Sequence, residues 1–204
     1  MAYNRFKLKD LEEKFNIHNF NDAFITKQLP FVEVDEFLLK TLALASKEAL
    51  GTEKAKSELV ISPVIKYFKD CNADSLSYFS GYEFNVDIKQ GLNGFCDYII
   101  STEPHKYTIE VPVICLVEAK KGEIEEGFGQ CGAEMYAAQL FNAQAGHTKK
   151  AIYGCVTNAF SWAFLKLENN NLSIDPNYVP LTFGEPQRVL AVLQWILDCS
   201  LANK

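Results

Sequence analysis

The sequence predicts an α/β fold, with a central mixed β-sheet of about four to six strands flanked by helices in the order α-β-β-β-α-β. Three observations carry this prediction. Val113-Ile114-Cys115-Leu116-Val117 is an unbroken apolar run bounded by charge, as in a central strand covered on both faces. Stretches rich in aromatic and β-branched residues at 76–86, 95–101 and 151–157 lie between turn-forming residues. Segments with apolar residues at helical spacing stand between and around them.

A chain of 204 residues suits a single domain. With 48 % hydrophobic and 23 % charged residues it has the balance of an ordinary globular protein and ample material for a core. Its apolar runs fall well short of the roughly 20 residues that cross a bilayer, and Met1–Lys7 has no apolar signal segment. A cytoplasmic protein with no membrane partner is therefore expected. The six cysteines stand singly, without a C-x-x-C pair, and read as buried free thiols in a reducing cytosol. His18, His105 and His147 are too scattered for a zinc site or a histidine-activated nucleophile. A net charge of −6 argues against coating nucleic acid through bulk charge. A nuclease remains compatible, because it needs only a local basic track. Lys54, Lys56, Lys66, Lys69, Lys120, Lys121, Lys149 and Lys150 are the candidates for that track.

Residues 1–51 form a helical extension, expected to cover the sheet or to make a homodimer contact. Lys7–Phe15 carries Leu8, Leu11 and Phe15 on one stripe. A loop runs from Asn19 to Pro30, and Asp35 is placed to cap a helix that continues to Leu50 and stops at Gly51. Residues 52–165 form the core. Thr52–Phe68 reads as a helix that Pro63 kinks or shifts in register. Glu58 stands amid its apolar residues, either exposed or aimed at the sheet. Leu76–Val86 and Phe95–Ser101 are strands on either side of the turn Gln90-Gly91-Leu92-Asn93-Gly94, and Val113 opens the central strand. The glycines at 127, 129 and 132 lack the Lys-Ser/Thr of a phosphate loop and suit a helix packed closely on the sheet. Ala151–Thr157 is a further buried strand. Residues 166–204 complete a hairpin (Ser161–Leu167 with Leu172–Ile174) and a last helix opened by Pro186.

The central strand ends in Glu118-Ala119-Lys120. Side chains two apart on a strand share a face, so Glu118 and Lys120 point the same way. Charges at the end of a buried strand are costly unless paired or bound to a metal. Asp97 lies on the preceding strand, and an antiparallel register would set it opposite Glu118. Two other acid-x-Lys patterns, Glu12-Glu13-Lys14 and Asp87-Ile88-Lys89, lack a separate strand with an acid upstream.

Gly94-Phe95-Cys96-Asp97-Tyr98 followed by Val117-Glu118-Ala119-Lys120, with Glu58 on the helix before, resembles the PD-(D/E)XK nuclease superfamily over residues 52–165. Within it the chain is similar to small cyanobacterial proteins of unknown function and, more distantly, to the N-terminal nuclease domains of type I restriction subunits. The resemblance implies a restriction-endonuclease-like core and a metal-dependent nuclease acting on DNA. It implies Mg²⁺ or Mn²⁺ held by Asp97 and Glu118, with the main-chain oxygen of Ala119 as a further ligand and Glu58 toward a second ion. It makes Lys120 the partner of the attacking water, Gln130 a contact to substrate or to Lys120, and Lys121 a substrate contact. The Gln-plus-Tyr pattern of some nuclease subfamilies is not matched, since Tyr136 is too far along. The chemistry agrees with that assignment: phosphodiester hydrolysis needs stabilised phosphoryl charge and an acidified water, and a divalent ion supplies both. Mg²⁺ keeps several waters, so two or three carboxylates suffice. The alternative is a catalytically silent nuclease-like domain that serves binding or assembly.

Overall fold

A computed structural model of the chain describes residues 2–147 and 151–202. It opens with a 3-10 turn at Tyr3–Arg5, helix α1 (Leu8–Phe15) and a short strand β1 (His18–Asn21). Helix α2 (Glu36–Ala45) follows, then α3 (Glu53–Lys56), a π-helical turn at Ser57–Ile61, and α4 (Ser62–Cys71). Strands β2 (Ser77–Glu83), β3 (Phe95–Ser101) and β4 (Val113–Ala119) lead through a 3-10 turn at Ile124–Gly127 into α5 (Phe128–Gln144). Strands β5 (Ala151–Thr157), β6 (Ser161–Glu168), β7 (Asn171–Ile174) and β8 (Val179–Pro180) precede α6 (Gln187–Ala202).

The chain is α/β, with a mixed sheet flanked by helices. Among the described residues the sheet has eight strands, in the order β1-β7-β6-β5-β4-β3-β2 with β8 also on β6. That is more than the expected four to six. The additions are β1 and β8. His18-Asn19-Phe20-Asn21 has no strand periodicity and reads as the start of a loop. It becomes a strand only because it lies parallel to β7, from His18 opposite Asn171 to Asn21 opposite Ile174. The central pair β4 and β5 is parallel and joined by α5, a βαβ unit, while β2–β3, β3–β4, β5–β6 and β6–β7 are antiparallel.

Strand periodicity divides the core into two layers. On one face, Cys115 and Val117 of β4 and Tyr153 and Cys155 of β5 meet α2, α4 and α6 through Leu38, Leu42, Val64, Phe68, Leu193 and Leu197. On the other, Leu116, Ile152 and Val156 meet α5 and the N-terminal segment through Cys131, Met135, Tyr3, Phe6, Leu11 and Phe15. Helix α5 sits very close to the sheet. A Cβ on Gly154 would stand 2.4 Å from the Met135 sulfur and 2.8 Å from that of Cys131. A Cβ on Gly129 would strike the Phe6 carbonyl at 2.4 Å, so the backbone of the N-terminal segment rests directly on the helix.

The caps follow the sequence in part. Asp35 accepts from Leu38 N at 2.9 Å, and Thr52 accepts from Ala55 N at 3.0 Å. Helix α2 stops at Ala45, before the expected Gly51, where polar Ser46-Lys47-Glu48 gives it no face to bury. The long helix expected over 52–68 is broken by the π-helical turn, in which Ser62 N reaches the Ser57 carbonyl. Pro63 lacks an N–H and crowds the preceding turn, and the wider turn lets the chain pass it. The extra residue rotates every side chain beyond it relative to α3.

Candidate functional site

The antiparallel register of β3 on β4 runs to Tyr98 opposite Val117. One further step sets Asp97 across from Glu118. There Asp97 Oδ2 accepts from Ala119 N at 2.8 Å, a carboxylate taking the place of the next ladder carbonyl. Glu118 lies on the α5 side of β4 and is 3 % exposed. Its Oε1 accepts from Lys120 Nζ at 2.6 Å, and Lys120 Nζ also donates to Gln130 Oε1 at 3.1 Å. Gln130 lies in the first turn of α5 and is buried; its Nε2 donates to Glu134 Oε1 at 3.1 Å. Thus β3, β4 and the start of α5 deliver one polar row, Asp97–Glu118–Lys120–Gln130–Glu134. It lies at the carboxyl end of the parallel pair, where open α/β sheets tend to bind ligands.

The stem of Lys120 is held as well as its head. A Cβ on Gly127 would come within 3.0 Å of Lys120 Cε and 3.3 Å of Cγ, so only glycine leaves room for this lysine to fold back. The backbone N–H of Lys120 donates to the Thr157 carbonyl at 2.8 Å, extending the β4–β5 ladder beneath it.

Electrostatically the row is crowded with acids. Burial, then the Asp97 carboxyl, pushes Glu118 up to about 8, with Lys120 pulling against both. Burial also raises Asp97, and Glu53 adds to the rise, while the bond from Ala119 N and the Lys120 charge oppose it. Burial alone would lower Lys120, but Glu118, Glu53 and Asp97 together hold it above its ordinary value. Lys120 is therefore an ammonium. The Asp97 charge thus disfavours ionisation of Glu118, and the Lys120 ammonium offsets it only in part. Glu118 Oε2 is buried with no hydrogen-bond partner.

Sequence-derived candidates separate into two groups. Asp97, Glu118, Lys120 and Gln130 come together. Glu58 lies on the π-helical turn, is mostly exposed, and faces Lys54 at 3.7 Å. It borders the same cleft as Asp97, about 340 Å³ in volume and also lined by Glu53, Ser57, Tyr98 and Ala119. The acid from that helix whose charge reaches Asp97, Glu118 and Lys120 is Glu53. A 3.6-residue period read straight through 52–68 misses the π-helical turn and so misplaces the side chains beyond it. Lys121 is exposed, and its carbonyl accepts from Lys56 Nζ at 2.6 Å. Glu134 is fully buried and sequence reasoning passed over it, although it is the one charged residue in the run 127–141.

Most described lysines of the expected basic track have acidic or aromatic partners. Lys54 pairs with Glu58, Lys66 and Lys69 share Asp70, and Lys56, a largely buried residue, sets its ammonium over the Phe160 ring. Lys149 and Lys150 lie outside the described residues. Two larger cavities, about 690 and 760 Å³, lie between the 23–32 loop and α6 and between α2 and α4, with none of Asp97, Glu118 and Lys120 in their walls.

Among the described residues, no group of three or more His, Cys, Asp and Glu side chains is gathered to hold a metal. Asp97 and Glu118 do fit an ion of the Mg²⁺ kind, which takes one or two carboxylates and keeps its waters. The orphaned Glu118 Oε2 and the Asp97 charge bearing on Glu118 are what a bound cation would relieve. No family model matches the chain, and no curated protein does. The resemblance therefore rests on the quoted residues and their order.

Proposed function

We propose that the protein is a divalent-metal-dependent nuclease of the PD-(D/E)XK kind, with a restriction-endonuclease-like core, hydrolysing phosphodiester bonds in DNA. The observation that carries the proposal is the convergence of Asp97, Glu118 and Lys120 at the end of β4, with one Glu118 oxygen buried and unpartnered.

In this reading Asp97 and Glu118 hold Mg²⁺ or Mn²⁺ and Glu53 adds negative charge from the helix side. When bound, the ion supplies Lewis-acid stabilisation of phosphoryl charge and acidifies water. Lys120 spends two of its three N–H donors on Glu118 and Gln130. The third is left for an attacking water or a phosphoryl oxygen, where an ammonium offsets developing negative charge. Burial around Glu118 strengthens each of these interactions by lowering the local dielectric. Lys121, exposed beside the row, is the residue best placed to meet a phosphate.

Thermal unfolding of wild type and Asp97→Ala over a Mn²⁺ titration, beside cleavage of single- and double-stranded DNA, tests the proposal. The expected result is a metal-induced rise in unfolding temperature and metal-dependent cleavage, both lost in Asp97→Ala. A metal shift that Asp97→Ala leaves intact would contradict the site. The second reading, a catalytically silent module, is favoured by the absence of a third converging ligand among the described residues. It predicts no cleavage with either ion.

A further inference from the structure

We infer that Glu134 is a positioning residue for Lys120: its carboxyl oxygen fixes which way the Gln130 amide points, and thereby keeps an acceptor on the lysine. This rests on the reading of Lys120 as the group beside the attacking water. Lys120 Nζ has only donors to offer, so the Gln130 atom facing it must be the oxygen. That orientation turns the Gln130 NH₂ toward α5, where Glu134 Oε1 receives it at 3.1 Å. An amide reversed by half a turn would set NH₂ against ammonium and oxygen against oxygen. Lys120 opposes the reversal from one side and the Glu134 acceptor from the other.

Three further facts agree. Glu134 is completely buried on α5, near enough to Tyr3 of the N-terminal segment and Cys96 of β3 for its charge to act on both, so it cannot touch a substrate. Its Oε2 has no hydrogen-bond partner, so the carboxyl is retained against a desolvation cost with a single bond to show for it. Burial, then the Glu118 charge, raises it well above the ordinary carboxyl value. What the geometry uses is its acceptor oxygen. A buried acid used only as an acceptor is replaceable by an amide of the same shape.

The test compares Glu134→Gln, which keeps the acceptor, with Glu134→Met, which keeps the length and removes it. Two readouts are needed: kcat and KM for metal-dependent DNA cleavage, and labelling of Lys120 by a lysine-reactive reagent followed by peptide mass spectrometry. Glu134→Gln should match wild type within about twofold in both. Glu134→Met should lower kcat by about tenfold or more at little-changed KM, because small misplacements of a reacting group are costly. Its Lys120 should label several-fold faster. The double variant Gln130→Met/Glu134→Met strands neither partner and keeps the test readable where Glu134→Met unfolds. It should equal Gln130→Met alone, since Glu134 acts through Gln130. Equal losses in Glu134→Gln and Glu134→Met overturn the inference, as does unchanged Lys120 labelling in Glu134→Met or a double variant worse than Gln130→Met. A wild-type protein that cleaves no DNA sinks the nuclease reading, and the labelling comparison then decides on Glu134.

Discussion

Lys120 is surrounded by more acid than it can neutralise, with Glu118, Asp97 and Glu53 all raising its affinity for a proton. The imbalance gives a pH prediction with a definite sign. Glu118 has a folded-state value near 8, above its ordinary 4.5, so between these limits the folded protein holds a proton that the unfolded chain has released. The stability it contributes is present below the ordinary value and lost as pH rises through about 8. Protons and a divalent cation compete for the same oxygens. The unfolding temperature without metal should therefore fall on going from pH 6 to pH 9, while the rise produced by Mn²⁺ should grow over the same range. A metal-induced shift that shrinks with rising pH would contradict the carboxylate site.

At the scale of elements, the site depends on how tightly α5 is held against β4 and β5. Asn142, buried near the end of α5, accepts from Val113 N at 2.8 Å and donates to the Val113 carbonyl at 2.7 Å, tying the helix to the start of β4. Asn142→Ala strands both backbone groups, and denaturant unfolding should show a loss of about 1–3 kcal/mol for each. At the other end of the connection, Gly127→Ala puts a methyl against Val156 at 2.5 Å and against the Lys120 stem. Overpacking of this kind costs about 1–3 kcal/mol, and the displaced ammonium should reduce cleavage further than that loss explains. Much at this scale was legible in the sequence. Phe95–Ser101, Val113–Ala119 and Ala151–Thr157 announced themselves through apolar content and bounding turns, and the small residues of 127–141 announced a close-packed helix. The π-helical turn was not legible, because nothing in Ser57-Glu58-Leu59-Val60-Ile61 departs from ordinary helical letters. Glu58, on that turn, and Glu53, ahead of it, both line the cleft beside Asp97.

On the scale of the whole molecule, the N-terminal segment covers α5 and the β7 edge of the sheet with side chains that belong to the core. Tyr3, Phe6, Leu11, Phe15 and Ile17 are all buried against α5 and the sheet, and Tyr3 Oη donates to the Phe84 carbonyl at 2.8 Å. Buried side chains of this size contribute roughly 1.5–3 kcal/mol each, so together they rival the ~5–15 kcal/mol that stabilises a typical domain. A chain lacking residues 1–21 should therefore lose its cooperative thermal transition, with its near-ultraviolet circular dichroism collapsing alongside. Sequence showed the α1 stripe but not its partner, since contacts between residues 3–17 and 128–136 are invisible to local periodicity. The same holds for β1, whose only warrant is the distant β7. Asp97 and Glu118 stand between these extremes. Their types and order were readable, and their meeting depended on a strand register that only the folded chain displays.

The central claim is that Asp97, Glu118 and Lys120 form a divalent-ion-dependent phosphodiester-cleaving site. The most direct measurement is cleavage of DNA by wild type and Lys120→Ala over a Mg²⁺ and Mn²⁺ titration, with circular dichroism confirming that both are folded. The account predicts cleavage that requires the ion, is abolished by EDTA, and falls about 10²–10⁴-fold in Lys120→Ala. Cleavage by Lys120→Ala equal to wild type, or no cleavage of either DNA form with either ion, would contradict it.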